Sequence, residues 1–377
     1  MSRSARYIDS LTPLRGFAAL WVMMFHIDGS LYYRNMGSLL PRHLTGILSH
    51  GYLWVDFFFM LSGFIMAHVF GDDLANNKSG QSVANYLWSR FTRIYPLHLF
   101  CLGLVILIAV LYPIWIPNVR DDSWRTFMSW AAIPSNLLLT HAMYQQAYLS
   151  WDIVSWSIGA EWWTYVATIP LVIALHRSKP VTGILVMAFC SLCLAGLVYI
   201  LPHKNLDTTF SLGFCRCLFE FVFGLGLYRL YKAGWLENAP TDGLLAACLG
   251  SLILIFHFQL NDLLILPVFA LLILAASRNK GRFERLMRVP FAVYLGRISY
   301  SIYLVHGVVF SAFWFVLPWL CRHFRLVGFS PLQKLAYVTA FVSLVLALSH
   351  FTYRFVENPA RIYLRTLRSR QAQERIA

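Results

Sequence analysis

Charged side chains are scarce in this chain. Asp, Glu, Lys and Arg make up 13% of its 377 residues, while 58% are hydrophobic. A soluble domain is usually nearer half apolar and a quarter charged. One larger core does not absorb the surplus, because cores stop growing at roughly 250–300 residues and chains then divide. Soluble and disordered classes are therefore excluded, and the excess apolar surface must face lipid. Acidic residues are scarcest, 17 against 31 Lys and Arg, leaving a net charge of +14. No basic helix or aromatic-basic module accompanies that charge, so no nucleic acid partner is expected. A cysteine framework is missing too. Of the 7 Cys, an odd number, Cys101, Cys190, Cys193 and Cys248 lie in apolar runs. Cys190-x-x-Cys193 has no second pair or histidine cluster beside it, so packing is expected rather than a metal or redox site. The N-terminus does not read as a leader: Arg15 interrupts the apolar segment and no small-x-small site follows. No internal repeat is visible.

Long hydrophobic runs are what the chain does have. A helix needs about 20 largely apolar residues to cross the hydrocarbon layer. Spanning segments must be helical, because backbone groups in lipid have no water to bond. Ten stretches qualify: 11–31, 51–71, 94–116, 153–175, 181–201, 209–231, 243–260, 262–278, 291–320 and 331–353. The expected fold class is an all-α membrane bundle of about ten spans. One domain covers 1–377, with its core over about 11–353 and a basic tail at 354–377. Residues 262–278 are short enough to be re-entrant, and 291–320 long enough to tilt or bend. Lys and Arg orient the bundle. With the N-terminus inside, twenty fall on the inner side, including Arg3, Arg6, Lys78, the cluster Arg278–Arg288, Arg361, Arg365, Arg368, Arg370 and Arg375. Eight, including Arg34, Arg42 and Lys204, fall outside. The positive-inside rule then places both termini in the cytoplasm. The tail reads as a solvated face near anionic lipid.

Ionisable groups at membrane depth are costly and usually line a cavity or pair. Within the spans these are Arg15, Arg216, Arg297, His26, Asp56, Glu161, Glu220 and His306. Arg15 and His26 are eleven residues apart, about three helical turns, so they share one face about 16 Å apart along the axis. Depth arithmetic sets His26, Asp56 and Glu161 near one level. An imidazole with a carboxylate beside it resembles a general base and its orienting partner; a structural polar network remains the alternative. Arg216 and Glu220 are an i,i+4 pair expected to satisfy each other. Arg90 and Arg93 share one side of a helix, where two guanidinium forks suit phosphates as well as ordinary anchoring. His306, Tyr300 and Tyr303 are expected in a core or interface role. Trp124, Trp151, Trp156, Trp162 and Trp163 crowd the outer side, as sugar-stacking platforms or as an interfacial belt.

Several blocks resemble a known family. They are Leu14-Arg15-Gly16-Phe17-Ala18-Ala19-Leu20 followed by His26, and Val55 to Ile65 with its Ser62-Gly63-Phe64. Further blocks are Arg90-Phe91-Thr92-Arg93-Ile94-Tyr95-Pro96, Trp156 to Tyr165, Leu295 to His306, and Arg354 to Pro359. In this order they resemble the bacterial membrane acyltransferase-3 family, in its stand-alone glycan O-acetyltransferase type. The resemblance implies about ten spans, a cytoplasmic acyl-CoA donor (acetyl-CoA by default) and a glycan acceptor on the far side of a bacterial inner membrane. It also implies an essential Arg15–His26 pair and a donor-site role for Arg90 and Arg93. A separate envelope-biosynthesis protein as partner is left open.

The expected activity is O-acyl transfer to a hydroxyl of a cell-surface polysaccharide or lipopolysaccharide sugar. His26 is the expected base, oriented by Asp56 or Glu161. Arg90, Arg93, Arg15 and Arg297 hold donor phosphates; Gly63 lets backbone approach the donor arm, with Ser62 and Phe64 beside it. Arg216, Trp156 and Tyr303 are the candidates for touching the acceptor. A transporter or flippase of glycan precursors, and a non-catalytic scaffold, are the competing readings.

Overall fold

A computed structural model describes residue 8, residues 10–77 and residues 80–374, with side chains to Arg368. Arg3, Arg6, Lys78 and Arg375 lie outside the described residues, as does the Arg370 side chain. Among the described residues all regular structure is helical, with no strand. The helices are α1 (Leu11–Tyr33), α2 (Trp54–Asn76), α3 (Gly80–Trp115), α4 (Asp122–Phe127), α5 (Ile133–Leu137), α6 (Trp156–Ala167), α7 (Ile169–His176) and α8 (Pro180–Ile200). They continue as α9 (Gly213–Lys232), α10 (Thr241–His257), α11 (Ile265–Arg278), α12 (Arg282–Met287), α13 (Pro290–Arg297), α14 (Ser299–His323), α15 (Pro331–Thr352) and α16 (Asn358–Glu374).

Among the described residues, five helical runs are long and apolar enough to cross a membrane: Gly51–Asn76, Gly80–Trp115, Pro180–Ile200, Ser299–His323 and Pro331–Arg368. A sixth is added if α6 and α7, bent by 57°, count as one span. The bend has a local cause. Pro170, in the first turn of α7, has no N–H for the carbonyl four residues back, so the ladder breaks at Thr168. The stretch expected as one span over 291–320 is likewise two helices, α13 and α14, parted at Ile298. The stretches 243–260 and 262–278 form helices of only 17 and 14 residues. α3, at 36 residues, is about 54 Å long, far more than the hydrocarbon layer needs. Its first turns, with Arg90 and Arg93, therefore extend past the apolar stretch that begins at Ile94.

Packing sorts the helices by polarity. The most apolar windows of α2 and α14 are 67% buried inside the protein, whereas those of α8 and α15 are 28% buried. The outer helices therefore present apolar side chains to lipid. α1 and α9 each carry two of the interior ionisable groups and lie among neighbours, α1 against α13 and α14, α9 against α2, α6 and α8. Such groups are tolerated where surrounding helices exclude lipid.

Two crossings depend on glycine. A Cβ on Gly63 would stand 1.9 Å from the Phe221 carbonyl oxygen, and one on Gly224 2.1 Å from that of Met60. α2 and α9 thus touch backbone to backbone. α1 and α13 do the same where Gly16 meets Gly296, whose own Cβ would fall 2.2 Å from the Thr12 oxygen. Small residues at helix crossings are the usual device for close approach in membranes.

Candidate active site

α1, α2, α3, α6 and α14 enclose a cavity of about 120 Å³. Its polar lining is Arg15, Ser62, Arg90, Arg93, Ser157, Glu161, Tyr165, Ser299, Tyr300 and Tyr303, with Tyr300 against Arg93 at 5.2 Å. Aromatic and aliphatic side chains, Phe58, Phe59, Ile65 and Met66 among them, form the rest. Arg15 and the Arg-x-x-Arg pair, 75 residues apart or more in sequence, meet here because α1 and α3 both pack on α14.

The carboxylate that lines this cavity, Glu161, and the one behind Arg93, Glu357, are both engaged. Glu161 Oε1 accepts the Ser62 hydroxyl and, at 2.6 Å, the Tyr165 hydroxyl. Glu357 pairs with Arg93 and accepts the Ser301 hydroxyl at 2.7 Å. Glu357 lies in a π-helical turn, Tyr353–Glu357, just before Pro359. Pro359 offers no N–H to the carbonyl four residues back, and the wider turn there aims Glu357 at α3. Arg90 lies 5.1 Å from the Phe70 ring and 5.9 Å from the Tyr165 ring, and its Nε is buried with no hydrogen-bond partner among the described residues. Cation–π contact of this kind holds a guanidinium without neutralising it.

His26 is not on the cavity wall. The Tyr303 ring, which is, packs edge-on against His306 at 5.5 Å and against Phe58 at 5.7 Å. His306 in turn packs against His26, ring centroids 4.9 Å apart, with its Nε2 at 3.3 Å from His26 Nδ1. His26 Nδ1 also meets the Val22 carbonyl at 2.9 Å, and His306 Nδ1 the Ile302 carbonyl at 3.1 Å. A carbonyl only accepts, so each Nδ1 carries the proton. This leaves His306 Nε2 as an acceptor facing His26 Nδ1–H. His26 Nε2 has no hydrogen bond among the described residues and keeps its lone pair.

The carboxylate orientation expected for His26 is therefore replaced. A backbone carbonyl and a second imidazole hold its tautomer. Asp56 instead takes a bidentate clasp from Arg216, Nε to Oδ1 at 2.9 Å and Nη2 to Oδ2. Arg216 also lies 5.7 Å from the Trp156 ring, and both charged groups are sealed from solvent. Arg216 and Glu220 were expected to satisfy each other; they form an ion pair at 3.9 Å, but both Glu220 carboxyl oxygens lack a hydrogen bond among the described residues. The Asp56 carboxylate, on the adjoining helix α2, is the one that hydrogen-bonds Arg216.

Other expected positions divide. Gly63 faces α9 and Phe64 packs on Tyr228 and Tyr231, so neither lines the cavity, while Ser62 does. Arg297 is exposed at the end of α13 and outside the lining. Tyr303 hydrogen-bonds Ser157 at 2.7 Å. Trp124, Trp151 and Trp156 are buried, and Trp162 and Trp163 are half-buried. No group of three or more His, Cys, Asp or Glu able to hold a metal occurs among the described residues. His306 and Glu357 are the site residues that reasoning on the sequence undervalued, although both stand inside the blocks that carry the resemblance.

An all-helical membrane protein with an internal cavity, basic at one end and approaching an imidazole pair at the other, is the class that fold and site define. The acyltransferase domain family matches residues 8–354, and the chain belongs to it. It is a membrane acyltransferase. The acyltransferase MdmB of Streptomyces mycarofaciens is 27% identical over 326 residues, which cover 80% of this chain and 79% of that protein. The O-acetyltransferase OatA of Staphylococcus aureus is 22% identical over 95% of this chain, which spans 58% of OatA. Protein 2 in the picA locus of Rhizobium radiobacter is 33% identical over 30% of this chain and 53% of its own length. No solved structure matches the chain at a significant level.

Proposed function

We propose that this protein moves an acyl group, acetyl by preference, from cytoplasmic acyl-CoA to a hydroxyl of an extracytoplasmic sugar, on a cell-surface polysaccharide or lipopolysaccharide. It is an inner-membrane protein of one domain with about ten spans and both termini in the cytoplasm. α1, α9, α10, α11 and the α13–α14 pair are counted as spans despite their charges, breaks or length. The O-acetyltransferase name carried by OatA supports the acetyl group. A separate envelope-biosynthesis protein that hands over or finishes the acceptor is compatible with this arrangement.

The supporting observation is the polar file from Arg90, Arg93 and Arg15 through Tyr303 to His306 and His26. The basic end fits a phosphorylated donor, because the buried Arg90 Nε has no hydrogen-bond partner among the described residues. Arg90, Arg93 and Arg15 hold phosphate there. The pantetheine arm lies along Ser62 and the aromatic wall, its thioester stopping at Tyr303 and Phe58. Those two rings must part for the acyl carbon to reach His26. The acceptor oxygen then attacks that carbon while His26 Nε2 takes its proton. The carbon–sulfur bond breaks, and the proton passes from His26 to the departing thiolate.

The purified protein incubated with labelled acetyl-CoA and a panel of envelope glycans tests the reading. Label should enter one glycan class as an alkali-labile ester. His26→Ala should abolish incorporation while the protein still inserts and binds CoA. Undiminished transfer by His26→Ala would remove the base, and a wild type that binds no acyl-CoA would remove the reaction.

A further inference from the structure

The C-terminal helix carries a basic face that the reading above leaves without a task. Glu357, Arg361 and Arg365 are spaced four apart, so they share one side of the helical run. α16 packs on α3. Trp88 Nε1 donates to the Leu364 carbonyl at 3.0 Å, and Arg368 lies 5.7 Å from the Trp88 ring, which fastens the two helices. The fastening gathers four guanidiniums. Arg90 Nη2 and Arg365 Nη2 each donate to the Ser89 hydroxyl oxygen at 3.1 Å. Arg361 is near enough for its charge to act on Arg93, Glu357 and Arg90, and Arg365 for its charge to act on Arg361, Arg90 and Arg93.

The balance of charge there is lopsided. Among the described residues, Glu357, paired with Arg93, is the one carboxylate ion-paired to any of the four. A single serine hydroxyl shared by two guanidiniums does not neutralise them. Like charges so placed repel unless an anion enters between them. Planar forks gathered in this way suit phosphate oxygens bidentately. Arg90 and Arg93 line the cavity, whereas Arg361 and Arg365 lie outside its lining and Arg365 is exposed.

We propose that α3 and α16 together form a site for a multiply phosphorylated ligand, in which Arg361 and Arg365 hold the phosphates farthest from the cavity. Resting on the acyltransferase reading, that ligand is the phosphoadenosine end of the donor. Its diphosphate meets Arg90 and Arg93, its 3′-phosphate meets Arg361 and Arg365, and its arm enters the cavity. An anionic lipid headgroup offers the same phosphate chemistry, so the test separates the two.

CoA and 3′-dephospho-CoA binding is measured by calorimetry on the full-length protein in neutral detergent. The double variant Arg361→Gln, Arg365→Gln should bind CoA about tenfold more weakly and lose its preference over dephospho-CoA. Arg365→Gln alone changes an exposed side chain; it should lose part of that affinity with an unchanged melting temperature. Undiminished CoA affinity in the double variant overturns the site. The same measurement in phosphatidylcholine nanodiscs, with and without phosphatidylglycerol, addresses the lipid. A variant effect confined to the anionic discs overturns the donor assignment. A wild type that binds no CoA overturns the donor reading itself, while CoA binding that ignores both arginines overturns this inference alone.

Discussion

A histidine acts as a base when its ring is held and one nitrogen stays free. His26 meets both conditions through the Val22 carbonyl and the His306 ring. His306 is thus a positioning residue for the proposed reaction. His306→Gln should lower kcat about tenfold to a hundredfold, less than the 10²–10⁴-fold that a general base itself contributes, while the donor KM holds. Steady-state kinetics with a varied donor concentration reads both; an unchanged kcat would release His306 from the role. Arg216 and Asp56 work differently, because both are sealed away from water. Removing one partner of a buried pair leaves the other uncompensated, at about 3–5 kcal/mol. Arg216→Met should therefore lower the melting temperature in detergent sharply, and adding Asp56→Leu should restore much of it. A melting temperature that falls further in the double variant would show that the pair is not what Arg216 serves.

Helices here are positioned by what they lack at their crossings. Gly63 and Gly224 let α2 and α9 touch, which keeps Ser62 directed at Glu161 one residue away from the contact. Gly63→Ala puts a methyl group into the Phe221 backbone, and overpacking of that kind costs about 1–3 kcal/mol or more. Gly103→Ala, on the outward side of α3 with nothing within 4 Å, should leave stability unchanged or raise it by up to about 1 kcal/mol. Melting temperatures of the two variants side by side decide the matter, and equal values would mean that the α2–α9 contact yields freely. The breaks serve the site too. The bend at Thr168 ends α6 soon after Glu161, and the break at Ile298 starts a fresh helix that carries Ser299, Tyr300 and Tyr303 along the cavity.

The whole molecule has a proposed direction, donor from one side and acceptor from the other. In a background with the native cysteines replaced, Lys204→Cys should react with a membrane-impermeant maleimide in intact cells. Lys179→Cys and Arg285→Cys should react only after permeabilisation. All three side chains they replace are exposed, so access to them is a question of sidedness. The opposite pattern would invert the orientation. Much of this plan is legible along the chain. Composition required lipid contact, because too few charges exist to cover the surface. Helical periodicity put Arg15 and His26 on one stripe of α1, and Arg90 beside Arg93 on α3, because both pairs lie within one helix. The partners of those residues are another matter. That Arg216 takes Asp56 rather than Glu220, that Ser62 finds Glu161, that Glu357 comes to Arg93, and that His306 rather than a carboxylate meets His26 depend on how helices rotate and which ones adjoin. Periodicity sets a side chain's face within its own helix; only the packing of separate helices, through contacts such as Gly63 on Phe221, decides what that face meets.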